Sequence, residues 1–155
     1  MRPAFRVAGT AAAVLMLDLW TKAAALSGLC AFKPVPVVPG FFNLTLVFNR
    51  GAAFGMFPGG VSFFIVLALV TAIIILWFAA FHVSMPPLTS LALGLICGGA
   101  LGNLLDRIRF GYVIDFLDFY AGHWHWPAFN IADSCLCIGA GLLILQSLRK
   151  QPGRA

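Results

Sequence analysis

The chain has 155 residues, of which 61% are hydrophobic and 10% charged, with ten Lys/Arg against five acids, every acid an Asp, and a formal net charge of +5. A mean hydropathy of +0.98 excludes a soluble globular domain of ordinary composition. The thin scatter of basic residues fits lipid headgroups and membrane topology, and excludes nucleic acid as a partner.

The first apolar stretch, about residues 7–26, is long enough to span a bilayer, which takes about 20 residues of helix. The opening MRPAFR and the run Ala23-Ala24-Ala25 resemble a cleaved signal peptide, but Asp18, Trp20 and Lys22 favour a retained span. Asp18 and Lys22 lie four apart and share a helix face. They are either a neutralised patch or the brace of a polar site, since intramembrane charges usually face protein or water.

Residues 27–60 are apolar but broken. Pro34, Pro36 and Pro39 exclude a helix there. In FFNLTLVFN, Leu44, Leu46 and Phe48 alternate with Asn43, Thr45, Val47 and Asn49, the period of a strand with one apolar face. A strand in lipid leaves its backbone unpaired, so a small sheet lying on the bilayer is expected. The following NRGAAFGMFPGG, with Gly51, Phe54 and Gly55 near its start, is either an ordinary turn or a flap that closes over an apolar ligand.

Residues 61–81 form the plainest span, without a charge, and HVSMPP is a turn short enough to force an antiparallel return. The third span, about 88–105, has Gly94, Gly98 and Gly102 at every fourth position, spacing that lets helices approach closely. Asn103, Asp106, Arg107 and Arg109 follow at its end and read as a solvated rim. The fourth span, about 130–148, carries Gly139 and Gly141 for the same kind of contact. Of the cysteines, Cys97, Cys135 and Cys137 lie in apolar runs as small packing residues, and Cys30 is in a loop. Four spans put both termini on one side, and Arg2, Arg6, Arg149, Lys150 and Arg154 assign that side to the cytoplasm. Segments 27–60 and 106–129 then emerge on the outer face, with Tyr112, Tyr120, Trp124 and Trp126 as an aromatic belt.

Two acids stand out. Asp133 follows Asn130 by three residues, the spacing of a helix cap that receives a returning hydrogen bond. Asp115 sits among Val113, Ile114 and Phe116 with no polar neighbour. Asp118 either shares its face or stands in water. Two carboxylates in a site of low polarity share a proton, which suits amide hydrolysis: one acid takes a proton from water as it attacks, while the other donates to the developing oxyanion and later helps the amine leave. Asn49, Arg50, Asn103, Arg107 and Asn130 are available to orient the acids or a substrate backbone. No metal or other cofactor is expected, because there is no HExxH, and His123 and His125 lack a third ligand. A Ser27–Lys22 nucleophile is conceivable but has nothing to activate it.

These blocks, DLWTK at 18–22, FNRGAAFG at 48–55, GGALGNLLDRIRFGYVIDF at 98–116 and WPAFNIADS at 126–134, make the chain resemble the bacterial lipoprotein signal peptidase family, signal peptidase II, over nearly its entire length. The resemblance implies a membrane α-helical fold of four transmembrane helices with a small periplasmic β-cradle and a short periplasmic helix, the latter two in the Phe41 to Gly60 region. It implies an aspartic endopeptidase of the inner membrane that cuts diacylglyceryl prolipoproteins before the lipidated cysteine. Asp115 and Asp133 match the catalytic pair, Asn49, Asn103, Arg107 and Asn130 the polar lining, and Asp18 with Lys22 the first-helix motif. The partners it implies are prolipoprotein substrates, membrane phospholipid and globomycin-type inhibitors, with the protein a monomer. From another class, a proton-coupled carrier using intramembrane acids is the alternative.

Overall fold

The computed structural model describes residues 2–51 and 60–149. It contains helices α1 (Pro3–Gly28), α2 (Val61–Phe81), α3 (Pro87–Phe110) and α4 (Ile131–Arg149), each long and apolar enough to cross a membrane. Proline opens α1 and α3 within the first turn, where its missing N–H has no helical partner to lose. The end of α3 is set by Gly111, whose φ of 75° gives a left-handed cap in which its N–H donates to Arg107 O at 3.1 Å. The helix therefore continues past residue 105. Asp106, which the sequence placed on a solvated rim, is buried in its last turns.

α3 is the hub and touches all three other helices. Its glycines explain how. A Cβ on Gly98 would lie 2.7 Å from Ala11 O and from Val14 Cβ on α1, and one on Gly99 would lie 2.5 Å from Ala132 O on α4. Gly139 on α4 returns the contact, 2.7 Å from Ala92 O of α3. Side chains at these positions would push the backbones apart, and in lipid close van der Waals packing is what holds helices together. Gly141, expected to serve the same purpose, faces open space. Cys97 is buried in the core between α1, α2 and α3, whereas Cys137 is exposed.

The sheet is antiparallel, in the order β1 (Val35–Val38), β2 (Phe42–Asn49), β3 (Val113–Ala121), β4 (Trp124–His125). It sits against the C-terminal end of α1, where Ala25, Leu46, Ile114 and Phe116 form a second apolar cluster. The strand expected over these residues is present, and its alternation is broken once. A register shift between Leu44 and Val47 lets Leu44 oppose Leu117 while Val47 opposes Asp115 and Phe48 opposes Ile114. Because paired residues point to the same face and faces alternate along a strand, this bulge moves Asn49 onto the face of Asp115, opposite to Asn43. The expected short helix has no counterpart in the described part of residues 41–60, where β2 lies; residues 52–59, including Phe54 and Gly55 of the candidate flap, are outside the described residues.

Candidate active site

Asp115 enters from the middle of β3 and is 1% exposed. Its Oδ2 accepts from Asn49 Nδ2 at 3.0 Å, the contact the bulge makes available, and its Oδ1 accepts from Asn130 Nδ2 at 2.8 Å. Asp133 arrives on the first turn of α4. Asn130 and Asp133 form a reciprocal cap: Asp133 N–H donates to Asn130 Oδ1 at 2.9 Å, and Asn130 N–H donates to Asp133 Oδ2 at 3.2 Å. Asn103 Nδ2 donates to Asp133 Oδ1 at 2.7 Å. The structural role foreseen for Asp133 is thus real, and the cap bond on Oδ2 together with the Asn103 bond on Oδ1 fixes the carboxylate's orientation.

Burial, and next the charge of Asp133, push the Asp115 carboxyl up to about 7, against the hydrogen bonds from Asn49 and Asn130. A carboxyl in that range is close to half-protonated at neutral pH, and two acids so placed titrate as a coupled pair. The two acids line one cavity of about 630 Å³. Its polar end is made by Asn49, Asn103, Arg107, Asp115 and Asp133, and its apolar walls include Phe64 and Leu67 of α2, Leu136 of α4 and Phe129. Arg107 reaches across this end: its Nη2 donates to Gly51 O at 3.4 Å, and its guanidinium lies 4.9 Å from the Phe64 ring centroid.

Behind the acids is a buried charge cluster. Lys22 Nζ stands 2.7 Å from Asp18 Oδ2 and 2.8 Å from Asp106 Oδ2, and donates to Asn103 Oδ1 at 3.1 Å. Lys22 is 2% exposed and Asp18 0%. Removing one member of such a buried set leaves an uncompensated charge, at a cost of about 3–5 kcal/mol. The pair on α1 therefore braces the polar site and is not only a neutralised patch. Lys22 is committed to these partners, and Ser27 is exposed with its Oγ donating to Ala24 O, so Ser27 and Lys22 do not form a nucleophilic pair.

The structure brings Asp18, Lys22, Asn49, Asn103, Arg107, Asp115, Asn130 and Asp133 together. Arg50 is exposed and forms no part of the cavity wall. Asp118 is neither wet nor on the face of Asp115: it is buried and accepts from Asn43, Thr45 and His125. Sequence reasoning passed over Asp106. A signal was available, since an acid three residues after Asn103 on a continuing helix returns toward the same face.

The sequence profile described as "Signal peptidase (SPase) II" matches residues 10–149. The chain belongs to the signal peptidase II family. It is similar to the lipoprotein signal peptidase of Polynucleobacter necessarius subsp. necessarius (strain STIR1), 47% identical over 146 residues that cover 92% of this chain and 88% of that one. The lipoprotein signal peptidase of Burkholderia mallei (strain SAVP1) is 45% identical over 149 residues, 94% of this chain and 89% of the relative. Among solved structures, a bacterial membrane enzyme determined by the in meso method at 2.3 Å superposes with a TM-score of 0.83 at 32% identity, covering 94% of this chain and 92% of the other. A second, determined at 1.9 Å, gives 0.80 at 33% identity, covering 92% of each chain. As a member of the signal peptidase II family the protein is a membrane aspartic peptidase, and the carrier reading has no support.

Proposed function

We propose that Asp115 and Asp133 are the catalytic pair and that the substrate is a prolipoprotein carrying a diacylglyceryl cysteine, cut on the N-terminal side of that residue. The observation that carries this reading is the cavity they share, polar at the acids and apolar elsewhere. Asp115 holds the proton. Asp133 takes one from a water molecule as it attacks the scissile carbonyl, and Asp115 donates to the developing oxyanion. As the tetrahedral intermediate collapses, Asp133 passes the proton it took from water to the departing amine, the C–N bond breaks, and the diol proton returns to Asp115 as the new carboxyl group forms. Asn49, Asn103 and Asn130 hold the acids, and Arg107 ties the polar end to Gly51, the start of the candidate flap.

The apolar walls suit acyl chains and a signal helix, and each buried CH₂ contributes about 0.8 kcal/mol, so affinity comes mostly from lipid. Membrane phospholipid surrounds the helices, globomycin-type inhibitors occupy the same cavity, and one chain supplies every named group, consistent with a monomer. The basic termini lie in the cytoplasm and the acid end faces the periplasm.

The test is cleavage of a purified lipidated precursor beside its unlipidated form. Only the lipidated precursor is cut, at the bond before the cysteine, and Asp115→Asn and Asp133→Asn each abolish cutting while the protein remains inserted. An Asp133→Asn protein that processes at the parental rate would refute the assignment.

A further inference from the structure

The two catalytic acids ride on segments far apart in sequence, and the backbone immediately before each is held by a different buried carboxylate. Asp18 Oδ1 accepts from the N–H of Ala132, the residue preceding Asp133, at 2.9 Å. Asp106 Oδ2 accepts from the N–H of Ile114, the residue preceding Asp115, at 3.1 Å. The two gripping carboxylates are joined by one ammonium, Lys22 Nζ, at 2.7 and 2.8 Å. Its third contact runs to Asn103 Oδ1, and Asn103 in turn donates to Asp133.

We propose that Asp18, Lys22 and Asp106 form a clamp of positioning residues that sets where Asp115 and Asp133 stand relative to each other. The proposal rests on the reading of those two acids as catalytic. None of the three clamp residues lines the cavity, so none meets substrate. Each carboxylate acts through one backbone N–H, and Lys22 converts two independent grips into one rigid unit spanning α1, α3, β3 and the start of α4. Holding helices together does not require this arrangement, because well-packed apolar side chains do it as well as a buried ion pair or better. Gly102 admits the clamp: a Cβ there would run into the Asp18 carboxylate, 3.0 Å from its Cγ.

Displacing a catalytic acid by about 1 Å costs on the order of 100-fold in rate with little change in binding. Asp18→Leu and Asp106→Leu, which remove the accepting oxygen, are therefore expected to lower kcat for a lipidated precursor by on the order of 100-fold, with KM within about twofold of the parent. Asp18→Asn and Asp106→Asn keep an oxygen for the backbone N–H and are expected to recover at least about tenfold of that loss. Asp115→Asn and Asp133→Asn run in the same assay: activity in either would remove the catalytic reading and leave the clamp without an object. If both are inactive while folded Asp18→Leu and Asp106→Leu turn over at the parental kcat, the clamp is wrong. Should the Leu proteins fail to fold, the Asn proteins decide, because a folded Asp18→Asn as inactive as Asp133→Asn would show that the accepting oxygen is not what matters.

Discussion

Asn130 donates its side-chain amide to Asp115 Oδ1 at 2.8 Å while its backbone N–H serves Asp133, so one residue is bonded to both acids. Its amide also lies 3.1 Å from Asn103 Oδ1 and 3.3 Å from Ile114 O, and the residue is fully buried. Asn130→Ala removes the cap of α4 and the bridge together. Loss of a cap costs about 1 kcal/mol, within a range of roughly 0.5–2, and the loosened acids are expected to lose on the order of 100-fold in kcat. Thermal unfolding and precursor cleavage measure the two separately, and parental kcat in a folded Asn130→Ala protein would contradict the bridging role.

The elevated pKa of Asp115, about 7, has a definite sign for stability. In the unfolded chain the carboxyl releases its proton near 3.8, whereas in the folded protein it keeps it until about 7. Between these limits the folded state binds more protons, so its stability falls as pH rises through that window and is greatest below it. Asp115→Asn is expected to flatten the slope of melting temperature against pH from about 4 to 7. An unchanged slope in that variant would assign the dependence to other groups.

Catalysis responds to the same group in the same direction. If protonated Asp115 is the acid, cleavage declines as pH rises past about 7. The profile of kcat/KM against pH shows the fall, and activity that keeps increasing well above that value would exclude Asp115 as the proton donor.

Gly102 and Gly141 give a paired comparison. A methyl at Gly102 meets Asp18 Oδ2 and lies 3.3 Å from Ala132 Cβ, whereas nothing lies within 4 Å of one at Gly141. Gly102→Ala is expected to destabilise by about 1–3 kcal/mol through overpacking, with reduced kcat as Asp18 shifts. Gly141→Ala is expected to be neutral or to stabilise by up to about 1 kcal/mol, since alanine is the better helix former. Melting in matched lipid or detergent compares them, and equal effects would deny the tight approach at Gly102.

Asp118 separates stability from chemistry. It is buried, with Asn43, Thr45 and His125 donating to it, and it shares none of these partners with Asp115. Asp118→Ala leaves the buried Asn43 amide without this acceptor, at a cost of about 1–3 kcal/mol, while folded protein cleaves at close to the parental kcat. A loss comparable to that of Asp115→Asn would place Asp118 in the reaction.

Much of this architecture is written in local pattern. Uninterrupted apolar runs announce the helices, because hydrocarbon demands that backbone groups be satisfied within each span. The three-residue step from Asn130 to Asp133 announces its own cap, since both partners lie on one helical turn. Contacts between distant segments follow no local rule. Asp106 reads as a rim acid until α3 runs on to Gly111 and buries it beside Lys22. Asn49 falls with Asn43 by alternation until the bulge in β2 turns it toward Asp115. Local spacing thus established four spans and two unusual acids, while only the packing of α1, α3 and the sheet decided which polar groups meet them, because a buried charge is stabilised by neighbours in space wherever they stand in the chain.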